Sequence, residues 1–186
     1  MSLVDLDKVR TDHELEIERL RDDASAHHLR PKVTTRLVRD LTMETSFSQF
    51  GATFDLVGVL AGAHGGPPEG PSPLRYFLAG IAFCVTGWWA KGSAVLGHEL
   101  DSLELDVQSY VDARGEHGFP GIETHPKWIA LEARISSDAS PSDILALIDW
   151  GNDRCPLVGF ARLAVPVYER IIHQGTTIRD TVPPGL

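Results

Sequence analysis

The pattern of apolar and polar positions changes character several times along the chain. Residues 5 to 30 are polar and charged, with an incomplete helical stripe of Val9, Leu15, Ile17 and Leu20, which predicts a solvated helix that stops before Pro31. From Val33 to Leu60 β-branched and aromatic residues take over. With Arg39-Asp40 and Gln49 to Gly51 as turns, three antiparallel strands fit this stretch. A Gly/Pro loop, Ala61 to Pro73, then leads to Ser72 as N-cap and Pro73 at the first helical position. The helix that follows carries Leu74, Phe77, Leu78, Ile81, Cys84, Val85 and Trp88 at helical spacing and closes near Gly97.

Two further stretches, Leu100 to Val111 and Trp128 to Ile135, alternate in hydrophobicity and predict strands, with Asp112 to Pro126 as a loop or extended hairpin tip. Ser140-Pro141-Ser142-Asp143 is a helix start with a capping-box carboxylate, and that helix runs to about Asn152. Pro156 permits a second helical start, and a last strand is expected from Pro166 to Ile172. The order βββ, α, ββ, α, α, β predicts an α+β fold with helices segregated from an antiparallel sheet. Residues 1–32 are expected to be a helical extension and 33–186 a single domain. Because apolar residues from Leu74 to Trp89 nearly encircle the central helix, it calls for cover on all sides.

Composition narrows the function classes. With 186 residues, 42% hydrophobic and 23% charged, the chain is in the range of an ordinary globular domain that needs no disulfide staple. A net charge of −9 argues against nucleic acid and anionic lipid as partners. The longest apolar run, Tyr76 to Ala90, is shorter than the ~20 residues a bilayer requires and ends at Lys91, so no membrane span is expected. The first residues show no secretory signal pattern, which points to the cytoplasm. Two cysteines, Cys84 and Cys155, stand 71 positions apart, too distant for a local redox or zinc motif and too few for a four-thiolate site. In a reducing compartment they are either inert core thiols or a reactive pair.

The stretch GPSPLRYFLAGIAFCVTGWW, with its Gly-x-x-Pro loop, apolar helix and inward cysteine, resembles the central helix of OsmC-like proteins, and RCPL at Arg154 to Leu157 resembles the context of that family's second cysteine. The similarity runs from about Val33 to Ile172. It implies antiparallel sheets around a long central helix, an intertwined homodimer, and, by likeness to the organic hydroperoxide resistance proteins, a thiol peroxidase. In that reading Cys84 attacks an organic hydroperoxide, Cys155 resolves the resulting sulfenic acid, and an external dithiol resets the enzyme, with no cofactor and no metal.

The chemistry explains why such a pair needs help. A thiol with pKa near 8.5 is only about 3% thiolate at pH 7, and the thiolate is the nucleophile. Cys84 lies mid-helix, beyond the reach of the helix dipole, so a cation must come from elsewhere. Relatives carry a glutamate about one turn into this helix to hold an arginine over the cysteine, whereas this chain has Leu74 and Arg75 there. Arg75 is nine residues before Cys84, on the opposite side of the helix and roughly 13 Å away along its axis. Arg36, Arg39 and Arg154 remain as candidates, Arg39 because it ends the first strand and Arg154 because it adjoins Cys155. The missing glutamate supports a second reading, a dimer of this fold that binds an apolar small molecule at the subunit interface. The glycine-rich stretch from Gly62 to Gly70 lacks a phosphate-binding ending and reads as a loop. Glu116, His117, Glu123 and His125 read as solvated loop residues rather than metal ligands.

Overall fold

The computed structural model describes residues 2–60 and 70–185; the expected glycine-rich loop lies, over residues 61–69, outside the described residues. Two compact units divide the chain. One comprises Met1–Glu18 and Leu78–Leu186, the other Arg19–Phe77. The boundaries therefore fall inside the first helix, α1 (Leu6–Asp22), and inside the central helix, α2 (Pro73–Leu96).

The Arg19–Phe77 unit is built on three antiparallel strands in sequential order, β1 (Thr34–Arg39), β2 (Thr42–Gln49) and β3 (Ala52–Val59). The expected turns are in place. Asp40 (φ 46°) makes the first, and Phe50 (φ 52°) with Gly51 (φ 78°) makes the second, where a left-handed backbone suits glycine. A register shift between Leu37 and Arg39 bulges the end of β1. None of the residues in these three strands is buried in the single chain.

Helix α2 starts and stops as the sequence predicts. The Ser72 carbonyl accepts from the N–H groups of Arg75 and Tyr76 at its start. At its end Gly97 (φ 80°) turns the chain while Gly97 and His98 donate to the Ser93 carbonyl, both at 2.9 Å. Leu78, Ile81, Val85 and Trp89 bury one face of α2, but Phe83 on another face is 79% exposed, so one chain does not supply the all-round cover its composition calls for.

The larger unit holds a four-stranded sheet in the order β4 (Ser102–Tyr110), β5 (Trp128–Ser136), β6 (Val167–His173), β7 (Thr176–Asp180). A one-turn helix, α3 (Ala113–Glu116), occupies part of the expected loop. Between β5 and β6 run α4 (Pro141–Asn152), with the expected Ser140–Asp143 capping box, and α5 (Pro156–Ala164). This two-helix crossover returns the chain in the same direction, so β6 pairs with β5 in parallel, the one departure from the antiparallel order among the described residues. The core gathers Ile81, Val85 and Trp89 of α2, Ile129, Leu131 and Ala133 of β5, Ile144, Leu147 and Ile148 of α4, and Ile171 of β6. Residues of α1 join it lightly: Arg10 Nε donates to the Ala94 carbonyl at 2.9 Å, and the His13 ring meets Trp88 and Trp150 edge-on. Among the described residues no helix is long and apolar enough to cross a membrane.

Candidate functional site

Both cysteines are free thiols. Cys84 is half-buried in the middle of α2, packed against the core cluster to which the buried Cys155 belongs. Cys155 is the residue before α5, reached from the end of α4 by a tight turn in which both Arg154 and Cys155 donate to the Gly151 carbonyl. Although 71 positions apart in sequence, Cys84 and Cys155 join the same core, and Cys84 is near enough to act on the Cys155 thiol. Burial, first of all, pushes the Cys155 thiol up to about 11; the N–H groups of Val158 and Leu157 oppose this, and Cys84 adds to it by side-chain hydrogen bonding and by charge. Cys155 accordingly keeps its proton at neutral pH.

The turn that carries Cys155 is fastened to α2 and to the sheet. Gly151 lies against the α2 backbone so closely that a Cβ there would stand 2.5 Å from Trp89 Cδ1 and 3.2 Å from Trp88 C. The next residue, Asn152, is 3% exposed; its Oδ1 accepts from Trp89 Nε1 at 3.2 Å and its Nδ2 donates to Glu169 Oε1 at 2.8 Å. Glu169, 5% exposed on β6, also accepts from Arg162 of α5 and Arg179 of β7, each at 2.9 Å. Arg179 in turn grips Asp149 of α4 with two bonds at 2.6 and 2.8 Å. Two carboxylates thus face two guanidiniums. Sequence reasoning passed over this group, although one signal was present: Glu169 occupies an inward position of a strand whose next inward residues are Ile171 and His173.

The arginines proposed from sequence have separate placements. Arg36 is paired with Glu44 across β1 and β2, Nη2 to Oε2 at 2.6 Å. Arg154 lays its guanidinium 4.1 Å over the Trp150 ring and donates to the Trp150 carbonyl. Arg39 ends β1 opposite Thr42, in the Arg19–Phe77 unit, whereas both cysteines belong to the other unit. Leu74 and Arg75 are exposed in the first turn of α2. Glu116, His117, Glu123 and His125 are all exposed; Glu123 pairs with Lys127 and His125, and no group of His, Cys, Asp or Glu fit to hold a metal occurs among the described residues.

A long helix, a mixed sheet and a two-helix crossover between its parallel strands define an α+β protein with two free thiols packed on one core. The chain belongs to the OsmC-like family: the family model described as "OsmC-like protein" matches residues 65–169. Solved structures agree in fold. An OsmC like protein from Mycoplasma pneumoniae superposes with a TM-score of 0.63 at 20% identity, over 78% of this chain and 99% of that one. An organic hydroperoxide resistance protein OsmC from Legionella pneumophila gives 0.57 at 18%, over 77% and 98%, and the organic hydroperoxide resistance protein OhrB of Bacillus subtilis gives 0.52 at 22%, over 75% and 96%. Among curated proteins none matches.

Proposed function

We propose that this protein is a thiol peroxidase that reduces organic hydroperoxides through Cys84, with Cys155 resolving. The observation that supports this most is two free thiols of unlike character, Cys84 half-buried and Cys155 buried with its pKa pushed up to about 11, a rise to which Cys84 contributes. The Cys84 thiolate attacks the terminal peroxide oxygen and the O–O bond breaks. The departing alkoxide takes a proton and leaves as an alcohol, and Cys84 becomes a sulfenic acid. Cys155 sulfur then attacks the Cys84 sulfur, the S–O bond breaks, the Cys155 proton leaves with the hydroxyl as water, and a disulfide forms. An external dithiol takes up the disulfide by exchange and returns both thiols. Arg39 is the cation proposed for Cys84, and a homodimer the assembly in which it acts.

The test is consumption of cumene hydroperoxide with dithiothreitol as reductant. Wild type turns over, Cys84→Ser does not, and Cys155→Ser accumulates a sulfinic acid at Cys84 after few turnovers. A Cys84→Ser variant as fast as wild type overturns the assignment. A second reading, a binding protein for an apolar small molecule, is favoured by Leu74 and Arg75 at the positions where a carboxylate is expected. It takes over if wild type consumes no peroxide.

A further inference from the structure

For two cysteines on separate helices to close a disulfide, their Cα atoms must come within about 7 Å with Cβ vectors facing, and small displacements of either backbone are enough to prevent it. Cys84 is fixed by the long α2, but Cys155 stands on a turn between two short helices, where backbone position has to be set by something else. Apolar packing alone is tolerant of sliding, whereas hydrogen bonds are directional and buried polar networks specify one arrangement. The network at Asn152 and Glu169 reaches every element that could displace that turn: α2 through Trp89, α4 through Asn152 and Asp149, α5 through Arg162, and the sheet through Glu169 and Arg179. Asn152 is three residues before Cys155, and its amide bridges the helix that bears Cys84 to the strand behind. A buried carboxylate with two arginines is a weak source of stability compared with apolar side chains of the same volume, so a positional role accounts for its presence better than a stabilising one.

We propose that Asn152 and Glu169 are positioning residues for Cys155, holding its turn in register with Cys84 so that the pair closes to a disulfide. This rests on the redox reading of the two cysteines. Neither residue touches a sulfur atom in the proposed chemistry; each acts through the turn.

The experiment is the reduction potential of the pair in glutathione buffers, where two protein thiols and one oxidised glutathione give the internal disulfide and two reduced glutathiones. Asn152→Ala is expected to lower that equilibrium constant at least tenfold, a shift of about 30 mV towards easier reduction. Trp89→Phe, which keeps an aromatic ring there but removes the donor to Asn152 and part of the buried indole's volume, is expected to shift it the same way and by less, and serves if Asn152→Ala does not fold. Leu100→Ala, a buried apolar truncation in the same core, controls for stability alone and leaves the potential in place. The proposal is overturned if Asn152→Ala and Trp89→Phe stay within threefold of wild type, if Leu100→Ala shifts the potential as far, or if wild type forms no disulfide in these buffers. Should the potentials shift as expected while hydroperoxide produces no disulfide, the positioning role stands and only the peroxidase reading fails.

Discussion

At Cys155 two effects of opposite sign meet in one side chain. It precedes α5, where the helix dipole and the N–H groups of Leu157 and Val158 favour a thiolate, yet burial outweighs them and drives the thiol well above its ordinary range, up to about 11. Part of that rise is owed to Cys84, through a hydrogen bond and through charge. In the variant Cys84→Ala the Cys155 pKa is therefore expected to move down from about 11, read as the pH midpoint of its alkylation by iodoacetamide; an unchanged midpoint would show that the two thiols do not sense each other. The local contexts of both cysteines were legible in sequence, because a helical stripe and a proline mark them. Their meeting was expected only from resemblance, since no local pattern encodes contact across 71 positions. The roles of Asn152 and Glu169 are not legible in sequence: the inward register of Glu169 marks a buried carboxylate, but its arginine partners come from α5 and β7.

Among elements, α4 approaches α2 closely at Gly151. Glycine is required there by space: a methyl group would collide with the fully buried Trp89, which has no free end to swing away. Gly151→Ala is expected to cost about 1–3 kcal/mol in urea unfolding, and a change within experimental error would mean the helices separate easily. The contact of α1 with this end of the fold is expected to respond to pH through His13. His13, between Trp88 and Trp150, has its pKa lowered by burial and by the charges of Lys91 and Arg154, with Glu14 opposing. Its unfolded imidazole, near 6.5, then binds protons more readily than the folded one, so stability contributed by His13 is present above 6.5 and declines as pH falls through that value. Urea midpoints of wild type should drop between pH 7 and 5 by more than those of His13→Phe, and parallel curves would remove this role. The strand and helix limits of α2, α4 and β1 to β3 were largely legible, being marked by caps, prolines and turn residues. Strand β7 was missed because its hairpin turns at Gln174-Gly175, with φ of 49° and 75°, outside the usual Asn-Gly signal, and the parallel β5–β6 pair follows from a crossover that periodicity does not reveal.

At the scale of the whole molecule, a single chain leaves much apolar surface uncovered. Phe50 is 95%, Leu163 89% and Phe83 79% exposed, and a three-stranded sheet without a buried residue is not a stable end state in water. A homodimer is expected, with light scattering giving twice 20.4 kDa at micromolar concentration and Phe83→Glu shifting the mass towards the single chain; wild type at 20.4 kDa would contradict it. Family membership, two free thiols on one core and the missing carboxylate leave one question above the others, whether the thiols are a redox couple for peroxides. The most direct measurement is the intact and peptide mass of the reduced protein after one equivalent of cumene hydroperoxide. The account predicts a loss of two hydrogens and a single crosslink joining the peptides that contain Cys84 and Cys155. An unchanged mass, or oxygen added at Cys84 with Cys155 still a thiol, would contradict it.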